Sequence, residues 1–249
     1  MTTDRSQIPV QPDPFEHGLP HLARSLQGPG PVKIVALGSS TTAGEGGIAP
    51  YPSRLQALLK DQYPAAGIDV INRGVGGQEA PDELHRLQRD VIDQKPCLAI
   101  WQVGTNAVWQ PADQHPPSFN ATIKAIRQGL KRLHKTGTMD VILMDLQYVP
   151  ALLTPAKRKA AKQMVAAIGK LARERGVNVF RRFAFMKAWH EVEMISFDRM
   201  VDPYDQTRLH DSDWTTQRLA RALKDQIVFA VERRKRTRAV SPPARRIDK

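Results

Sequence analysis

The sequence contains one cysteine in 249 residues, Cys97, so neither a disulfide framework nor a cysteine-based metal site can be built from it. No run of 18 consecutive apolar residues occurs, which excludes a predicted transmembrane helix. The first 30 residues also lack the apolar segment of a signal peptide. From these absences we expect a protein of the cytoplasm.

Acidic residues are scarce near the C-terminus, where residues 233–249 hold eight Lys or Arg against one acid, Asp248. This segment supplies more than half of the formal net charge of +12. A basic, Pro-containing segment with few apolar residues predicts a disordered tail. The alternative is contact with an anionic surface, a membrane or nucleic acid, by charge alone. No recognition motif accompanies the tail, so specific nucleic-acid binding is not expected, and the sequence does not determine the oligomeric state.

Short β-branched runs alternate with segments of helical period from residue 32 onward. This alternation predicts an α/β fold in which helices cover both faces of a parallel sheet. The predicted strands are 33–39, 68–74, 98–104, 140–146 and 177–180. We expect one domain over residues 31–232, preceded by an N-terminal extension, residues 1–30, and followed by the basic tail.

Apolar residues recur at steps of three and four between these strands, which predicts helices that pack on the sheet. The first helical stripe has Leu84, Leu87 and Val91; the second Phe119, Ile123, Ile126, Leu130 and Leu133; the third Ala161, Met164, Ile168 and Leu171, ending at Gly176; and a terminal helix from Asp213 has Leu219, Leu223 and Ile227. Ligands of such sheets bind outside the carboxyl ends of the strands. Functional residues are therefore expected directly after each strand.

The first strand runs into GSSTTAGEGG, where small and hydroxyl residues precede several glycines. Three interpretations compete. The glycines could cradle a phosphate, but neither GxxxxGK[ST] nor GxGxxG is present. The hydroxyl residues could simply cap a helix, their usual role at a helix start. Alternatively, a serine at a strand-to-helix turn is a nucleophile whose oxygen is exposed at the sheet edge.

Two further strand ends favour the nucleophile. NRGVGG follows the second strand and leaves backbone amides uncovered by side chains, and GTN after the third places Asn106 on the same rim. Such donors hold the oxyanion of an acyl-transfer intermediate. DPYDQTRLHDSDW then supplies His210 with acids on either side, which is the base that a nucleophilic serine requires. The other histidines show no metal-ligand spacing, so no metal is expected.

Taken together, these blocks resemble the SGNH (GDSL-like) hydrolases. The first block, GSSTTAG, matches with Ser40 as nucleophile; NRGVGG matches with Gly77 as an oxyanion donor; Gly104-Thr105-Asn106 is the G-x-N block; and the histidine block falls at His210. The resemblance spans residues 33 to about 230. It implies a flavodoxin-like three-layer α/β/α sandwich with a five-stranded parallel sheet. It also implies a serine esterase whose oxyanion donors are the amides of Ser40 and Gly77 and the side chain of Asn106, without a cofactor.

Two positions depart from the family pattern. Ser39 stands where the aspartate of GDS usually lies, which the family tolerates. Thr207 stands three residues before His210, where the family has the triad aspartate. Asp205 is the predicted substitute and Asp202 a poorer one, while Asp211 or Asp213 is expected to cap the terminal helix. Without an acid, the site would be a Ser-His dyad.

Four residues after strand ends are predicted to line the substrate pocket: Gln78, Trp109, Gln147 and Tyr148. The family resemblance favours esters of short acyl groups or O-acetylated carbohydrates over lysophospholipids or acyl thioesters. The low aromatic content, 6%, argues against a large lipid pocket. The rival hypothesis is a carbohydrate-binding pseudoenzyme disabled by the change at Thr207.

Overall fold

The computed structural model describes residues 12–240. Within this range the chain forms a five-stranded parallel sheet in the order β2-β1-β3-β4-β5, the flavodoxin-like order. The strands are β1 (Val32–Gly38), β2 (Ile68–Gly74), β3 (Leu98–Gln102), β4 (Asp140–Met144) and β5 (Asn178–Phe180). All five predicted strands are confirmed, although β3 and β4 end two residues earlier than expected.

Helices lie on both faces of the sheet, as predicted. The α-helices are α1 (Pro20–Ser25), α2 (Ser40–Ala43), α3 (Tyr51–Gln62), α4 (Ala80–Asp90), α5 (Asn106–Trp109), α6 (Phe119–Thr136), α7 (Pro150–Leu153), α8 (Arg158–Arg175), α9 (Arg182–Glu191), α10 (Phe197–Met200) and α11 (Asp213–Val240). One layer contains α4, α6 and α8, which pack side by side, and the other contains α1, α3 and α11.

The helical stripes pack on the sheet largely as their period predicts. Every predicted stripe residue of α8 is buried, and the helix ends at Gly176, whose φ of 63° lies in the left-handed region that favours glycine. Phe119 is an exception, because it is 43% exposed. Phe119 is the first residue of α6, and the buried stripe starts one turn later, at Thr122.

The chain ends pack more closely than the predicted domain limits suggest. The Phe15 amide donates to Gln226 Oε1 at 2.7 Å, and the Leu22 amide donates to Asp140 Oδ2 at 2.9 Å, so residues 12–30 are part of the packed domain. Helix α11 continues past residue 232 to Val240, and Arg233 donates to the carbonyl oxygen of Glu16 at 2.6 Å. The rest of the predicted tail, 241–249, lies outside the described residues, as do residues 1–11.

Within residues 12–240, no helix combines the length and apolarity needed to cross a lipid bilayer.

Candidate active site

Ser40 and His210, 170 residues apart in sequence, meet at the carboxyl edge of the sheet. The Nε2 atom of His210 lies 3.1 Å from Ser40 Oγ, and its Nδ1 atom lies 2.9 Å from Asp205 Oδ2. Ser40 is the first residue of α2, directly after β1, and only 7% of its surface is exposed. The structure therefore brings together the predicted nucleophile, base and acid in the order a catalytic triad requires.

Asp205 is held by its own loop. Its Oδ2 atom accepts the amides of Leu209 and His210, both at 2.8 Å. Its Oδ1 atom accepts both the amide and the hydroxyl of Thr207, at 2.9 and 2.6 Å. Burial opposes ionisation, but the hydrogen bonds from His210, Thr207 and Leu209 outweigh it and hold the pKa of Asp205 well below its usual range. Asp205 is thus a carboxylate at any pH near neutrality.

Thr207, the residue in the family's aspartate position, takes part in this loop as a donor to Asp205. Between Thr207 and His210 the chain turns at Arg208, whose φ of 57° is left-handed. This turn places the carboxylate of Asp205, five residues before His210, beside the Nδ1 atom of the histidine. Asp202 lies elsewhere: its Oδ1 atom accepts the Tyr204 amide, and its own amide donates to the His210 carbonyl.

The predicted aspartate cap of the terminal helix is wrong. Ser212 Oγ accepts the Thr215 amide at 3.2 Å, so Ser212 caps the start of α11. Asp211 is instead buried, 3.9 Å from the guanidinium of Arg182. Burial raises the pKa of Asp211 to about 6, against the opposing effect of Arg182 and His210.

The turn that carries Ser40 is organised by Gln102, a buried residue at the end of β3. Gln102 Oε1 accepts the Ser39 amide at 3.2 Å and the hydroxyls of Thr41 and Thr42 at 3.0 and 2.8 Å. Its Nε2 atom donates to Ser39 Oγ at 3.0 Å. Ser39 makes no side-chain cap bond to α2, so the simple capping interpretation of this segment fails. The hydroxyl residues around Ser40 serve to fix the turn to the neighbouring strand.

A buried cation supports the same turn from the other side. Arg182 is 1% exposed and donates to Thr41 Oγ1 at 3.2 Å and to Gln147 Oε1 at 2.8 Å. It also donates to the backbone oxygen of Asp145 at 3.0 Å. Burial raises the pKa of Asp145 to about 7, although its hydrogen bond from the Phe183 amide and the charge of Arg182 favour ionisation.

The predicted oxyanion donors lie on adjacent loops. Among the described residues, no carbonyl accepts the amide hydrogen of Ser40 or of Gly77. Asn106 Nδ2 donates one hydrogen to the Gln78 carbonyl at 2.7 Å, which leaves the second hydrogen of the carboxamide for another acceptor. Gly77 has a φ of 76°, a left-handed conformation that other residues adopt with strain.

Glu79 fixes the turn on which Asn106 lies. Its buried carboxylate accepts the amide of Gly104 at 2.8 Å, of Asn106 at 2.9 Å and of Ala107 at 3.2 Å. Burial raises the pKa of Glu79, and these backbone donors partly offset that effect. A single side chain from the second loop therefore holds the third loop in place.

A small cavity of about 30 Å³ opens beside Ser40, between the sheet, α3 and α11. Its walls are mostly apolar and include Tyr51, Met144, Leu219 and Leu223, while Arg182 and Asp211 supply polar edges. A volume of this size holds about two water-sized groups. The cavity therefore suits a small group attached at Ser40.

The four predicted pocket residues do not line this cavity. Gln147 is 1% exposed, and its amide bonds to Arg182, Thr105 and the Leu209 carbonyl. The other three are partly exposed, and their contacts are structural: Gln78 Oε1 accepts Arg86 Nε at 2.6 Å, the Trp109 carbonyl accepts Lys157 Nζ at 2.5 Å, and the Tyr148 hydroxyl donates to Glu191 at 2.6 Å. Their contact with substrate stays a prediction.

Glu45 is a site residue that the sequence interpretation missed. Its Oε2 atom lies 3.1 Å from His210 Nε2, the same atom that contacts Ser40. Gln102, Glu79 and Arg182 were also missed. Gln102 could have been recognised in the sequence as a polar residue inside the apolar strand LAIWQV. Glu45, Glu79 and Arg182 have polar neighbours in sequence, and nothing there distinguishes them. Within residues 12–240, no group of three or more His, Cys, Asp or Glu side chains is arranged to hold a metal ion.

Two curated proteins are similar to this chain in sequence. Acetylxylan esterase of Geobacillus stearothermophilus is 28% identical over 153 residues, which cover 57% of this chain and 68% of that protein. The uncharacterised lipoprotein YqeF of Bacillus subtilis is 37% identical over 82 residues, 32% of this chain and 34% of that protein.

Solved structures share the fold. The acetylxylan esterase Axe2 of Geobacillus stearothermophilus superposes with a TM-score of 0.65 and 23% identity, over 79% of this chain and 94% of that one. LAE5, an α/β hydrolase enzyme from the metagenome of Lake Arreo, gives a TM-score of 0.64 and 19% identity, over 80% and 94%. The profile of the Non-GDSL lipase-like family matches residues 6–233, and the chain belongs to this family.

Proposed function

We propose that this ester hydrolase removes short acyl groups, acetyl above all, from carbohydrate esters through a covalent intermediate on Ser40. The observation that carries the proposal is the continuous chain of contacts Ser40 Oγ, His210 and Asp205, at 3.1 and 2.9 Å. In that chain each group performs a step that acyl transfer needs.

The proposed reaction begins with proton transfer from Ser40. His210 Nε2 takes the proton from Ser40 Oγ as the oxygen attacks the ester carbonyl. The negative oxygen that forms is met by the amides of Ser40 and Gly77 and by the free hydrogen of the Asn106 carboxamide. Asp205 holds the Nδ1 hydrogen and stabilises the imidazolium. His210 then protonates the departing alcohol, and a water molecule, activated by the same nitrogen, hydrolyses the acyl-enzyme.

The cavity beside Ser40 supports a small acyl group. Its volume of about 30 Å³ accommodates the methyl group of an acetyl ester, while a long acyl chain would require the side chains of Met144, Leu219 or Leu223 to move. This favours acetyl esters over lysophospholipids and long-chain thioesters.

The relatives support a carbohydrate as the alcohol. One is an acetylxylan esterase, and a related structure is described as an acetyl-xylooligosaccharide esterase. Solved catalytic mutants of that enzyme replace a serine, an aspartate and a histidine by alanine. In this chain Ser40, Asp205 and His210 are the corresponding residue types at one site.

The test is acetate release from acetylated xylo-oligosaccharides, alongside p-nitrophenyl esters of increasing chain length. We expect hydrolysis to decline steeply beyond short acyl groups, and Ser40→Ala to abolish it without unfolding the protein. Ser53→Ala is the control and should keep full activity, because Ser53 is exposed and its hydroxyl bonds only to the Pro50 carbonyl. An active Ser40→Ala variant, or a preference for long acyl chains, would contradict the proposal.

The cellular setting stays a prediction. Cell fractionation with the full-length protein tests the expected cytoplasmic location, and vesicle sedimentation in low and high salt tests whether the basic C-terminal segment contacts anionic surfaces.

A further inference from the structure

Two oxygen atoms lie within hydrogen-bond distance of His210 Nε2, but activation of Ser40 requires only the contact with the serine. Ser40 Oγ and Glu45 Oε2 each lie 3.1 Å from it. Glu45 lies two residues after the end of α2, in the segment Gly44–Gly47, and its side chain is 44% exposed. It also lines the cavity beside Ser40.

The second contact conflicts with the reactive state of the histidine. A neutral His210 that donates its Nδ1 hydrogen to Asp205 in a hydrogen bond has only a lone pair at Nε2. That lone pair accepts the hydrogen of the Ser40 hydroxyl. A carboxylate at 3.1 Å from a lone pair is repelled. The Glu45 contact is favourable only when His210 is an imidazolium, which cannot activate Ser40. Glu45 must therefore leave this position before the serine attacks.

The position of Glu45 Oε2 corresponds to a later step of the reaction. After the serine attacks, Nε2 carries a proton that it must give to the oxygen of the departing alcohol. An oxygen within hydrogen-bond distance of Nε2, other than Ser40 Oγ, marks the place of that departing oxygen. Glu45 Oε2 thus occupies the leaving-group end of the site in the free enzyme.

The surroundings restrict where the Glu45 carboxylate can go. A Cβ atom at Gly76 would lie 2.9 Å from Glu45 Oε1, so the carboxylate rests against the loop that carries Gly77. A Cβ atom at Gly46 would lie 2.4 Å from Asp202 Oδ2, so the backbone after Glu45 is closely packed. The side chain can rotate, but its base stays beside the leaving-group end.

We propose that Glu45 is a specificity residue for the alcohol half of the substrate, which it recognises as a polyol. When the ester displaces it from His210, its carboxylate accepts a hydrogen bond from a hydroxyl adjacent to the esterified oxygen. A simple alcohol offers no such hydroxyl, so the displaced carboxylate is left to solvent. This inference rests on the proposed esterase function and concerns only the choice of alcohol.

The experiment holds the acyl group constant and changes the alcohol. Two acetyl esters are compared: a monosaccharide acetate with a free hydroxyl next to the ester, and the same compound with that hydroxyl methylated. We expect the wild-type ratio of kcat/KM, free over methylated, to fall at least about tenfold in Glu45→Ala, because hydrogen bonds to charged groups contribute about that much or more. Glu45→Gln keeps an acceptor without the charge and should give an intermediate ratio.

The control is Glu174→Ala, which removes a carboxylate whose side chain is also 44% exposed. Glu174 lies near the C-terminal end of α8, before β5, so its removal should leave the ratio unchanged. The inference is overturned if the ratio is unchanged in Glu45→Ala, or if both substrates lose activity equally, which would indicate that Glu45 only positions His210. Failure of the esterase function is a separate result, in which the wild type hydrolyses neither acetate or Ser40→Ala keeps activity. A wild type that hydrolyses both acetates without preference overturns the inference alone.

Discussion

The two halves of the catalytic site are held in place in different ways. The turn that carries Ser40 is fixed by side chains remote in sequence, since Gln102 lies about 60 residues away and Arg182 about 140. The carboxylate of Asp205 is held from within the histidine loop, because every hydrogen bond that it accepts comes from a residue two to five positions ahead. The nucleophile therefore depends on the assembled sheet, whereas the base and acid depend mainly on the conformation of one loop.

This difference explains how the site accommodates its departure from the family pattern. A loop that organises its own carboxylate can change the spacing between acid and base if its backbone turns accordingly, as it does at Arg208. The nucleophile turn has no such freedom, because a shift of Ser40 would break contacts with two other elements. We expect substitutions on the two sides to fail in different ways.

The largest effect is expected from Asp205→Asn. Loss of the negative charge removes the stabilisation of the His210 imidazolium, and replacement of a triad aspartate lowers kcat by roughly four orders of magnitude. KM should change little, whereas the thermal midpoint should fall, because the new NH2 group faces backbone amides that the carboxylate accepts in the wild type. Steady-state kinetics on an acetyl ester measures this, with Asp202→Asn as the control that stays within a few-fold of wild type. Equal losses in both variants would show that Asp205 has no special role.

Gln102→Leu should weaken the nucleophile side as a whole. It leaves the Ser39 amide and the hydroxyls of Thr41 and Thr42 without their buried acceptor, so we expect the free energy of unfolding to fall by about 3 kcal/mol. The kcat value should fall about tenfold as Ser40 loses its fixed position. Urea unfolding and kinetics measure the two effects, and Gln88→Leu, an exposed position on α4, is the control. Normal stability with normal turnover would show that Gln102 does not fix the turn that carries Ser40.

One carboxylate from each side, Asp145 and Asp205, should respond to pH with opposite sign. Burial raises the pKa of Asp145, behind the nucleophile turn, to about 7, so the folded protein binds more protons than the unfolded chain between about pH 4 and 7. Its contribution to stability therefore falls as the pH rises through that window. The pKa of Asp205 is lowered, so its contribution is complete above its ordinary pKa of about 4 and is lost only in stronger acid.

Asp145→Asn tests this contrast. Asparagine can still accept the Phe183 amide, so the variant should keep its fold and show a smaller decline of the free energy of unfolding between pH 4.5 and 7.5. The expected difference across the window is on the order of 1 to 3 kcal/mol. Urea titrations at several pH values measure it. A slope identical to that of wild type would mean that Asp145 is ionised throughout.

The smallest effect is expected from Thr207→Val. It removes the hydroxyl that donates to Asp205 Oδ1 at 2.6 Å but leaves the backbone donor at 2.9 Å, so kcat should fall only a few-fold. Thr207→Asp, which restores the family's residue, should also lose activity, because a second carboxylate would lie against Asp205. A marked gain in kcat for Thr207→Asp would instead show that the site lacks its carboxylate.

The sequence and the tertiary structure determine different features of this protein. The period of the apolar residues was sufficient to predict five parallel strands and their covering helices, because burial on one face or both is recorded locally in the sequence. The three blocks that hold Ser40, Gly77 and Asn106 could be located for a similar reason. Each follows a strand, and parallel strands place their carboxyl ends on one edge. His210 lies two helices beyond β5 and was located by its resemblance to the histidine block of the SGNH hydrolases.

Only the tertiary structure decided which polar residues serve these groups. Several aspartates flank His210 in sequence, and the left-handed turn at Arg208 determines that Asp205 is the one facing Nδ1. Likewise, the hydrogen bonds of Gln102 and the contact between Glu45 and His210 join residues 60 to 165 positions apart. A hydrogen bond requires atoms about 3 Å apart at a favourable angle, and no local pattern in the sequence encodes a distance between such remote residues.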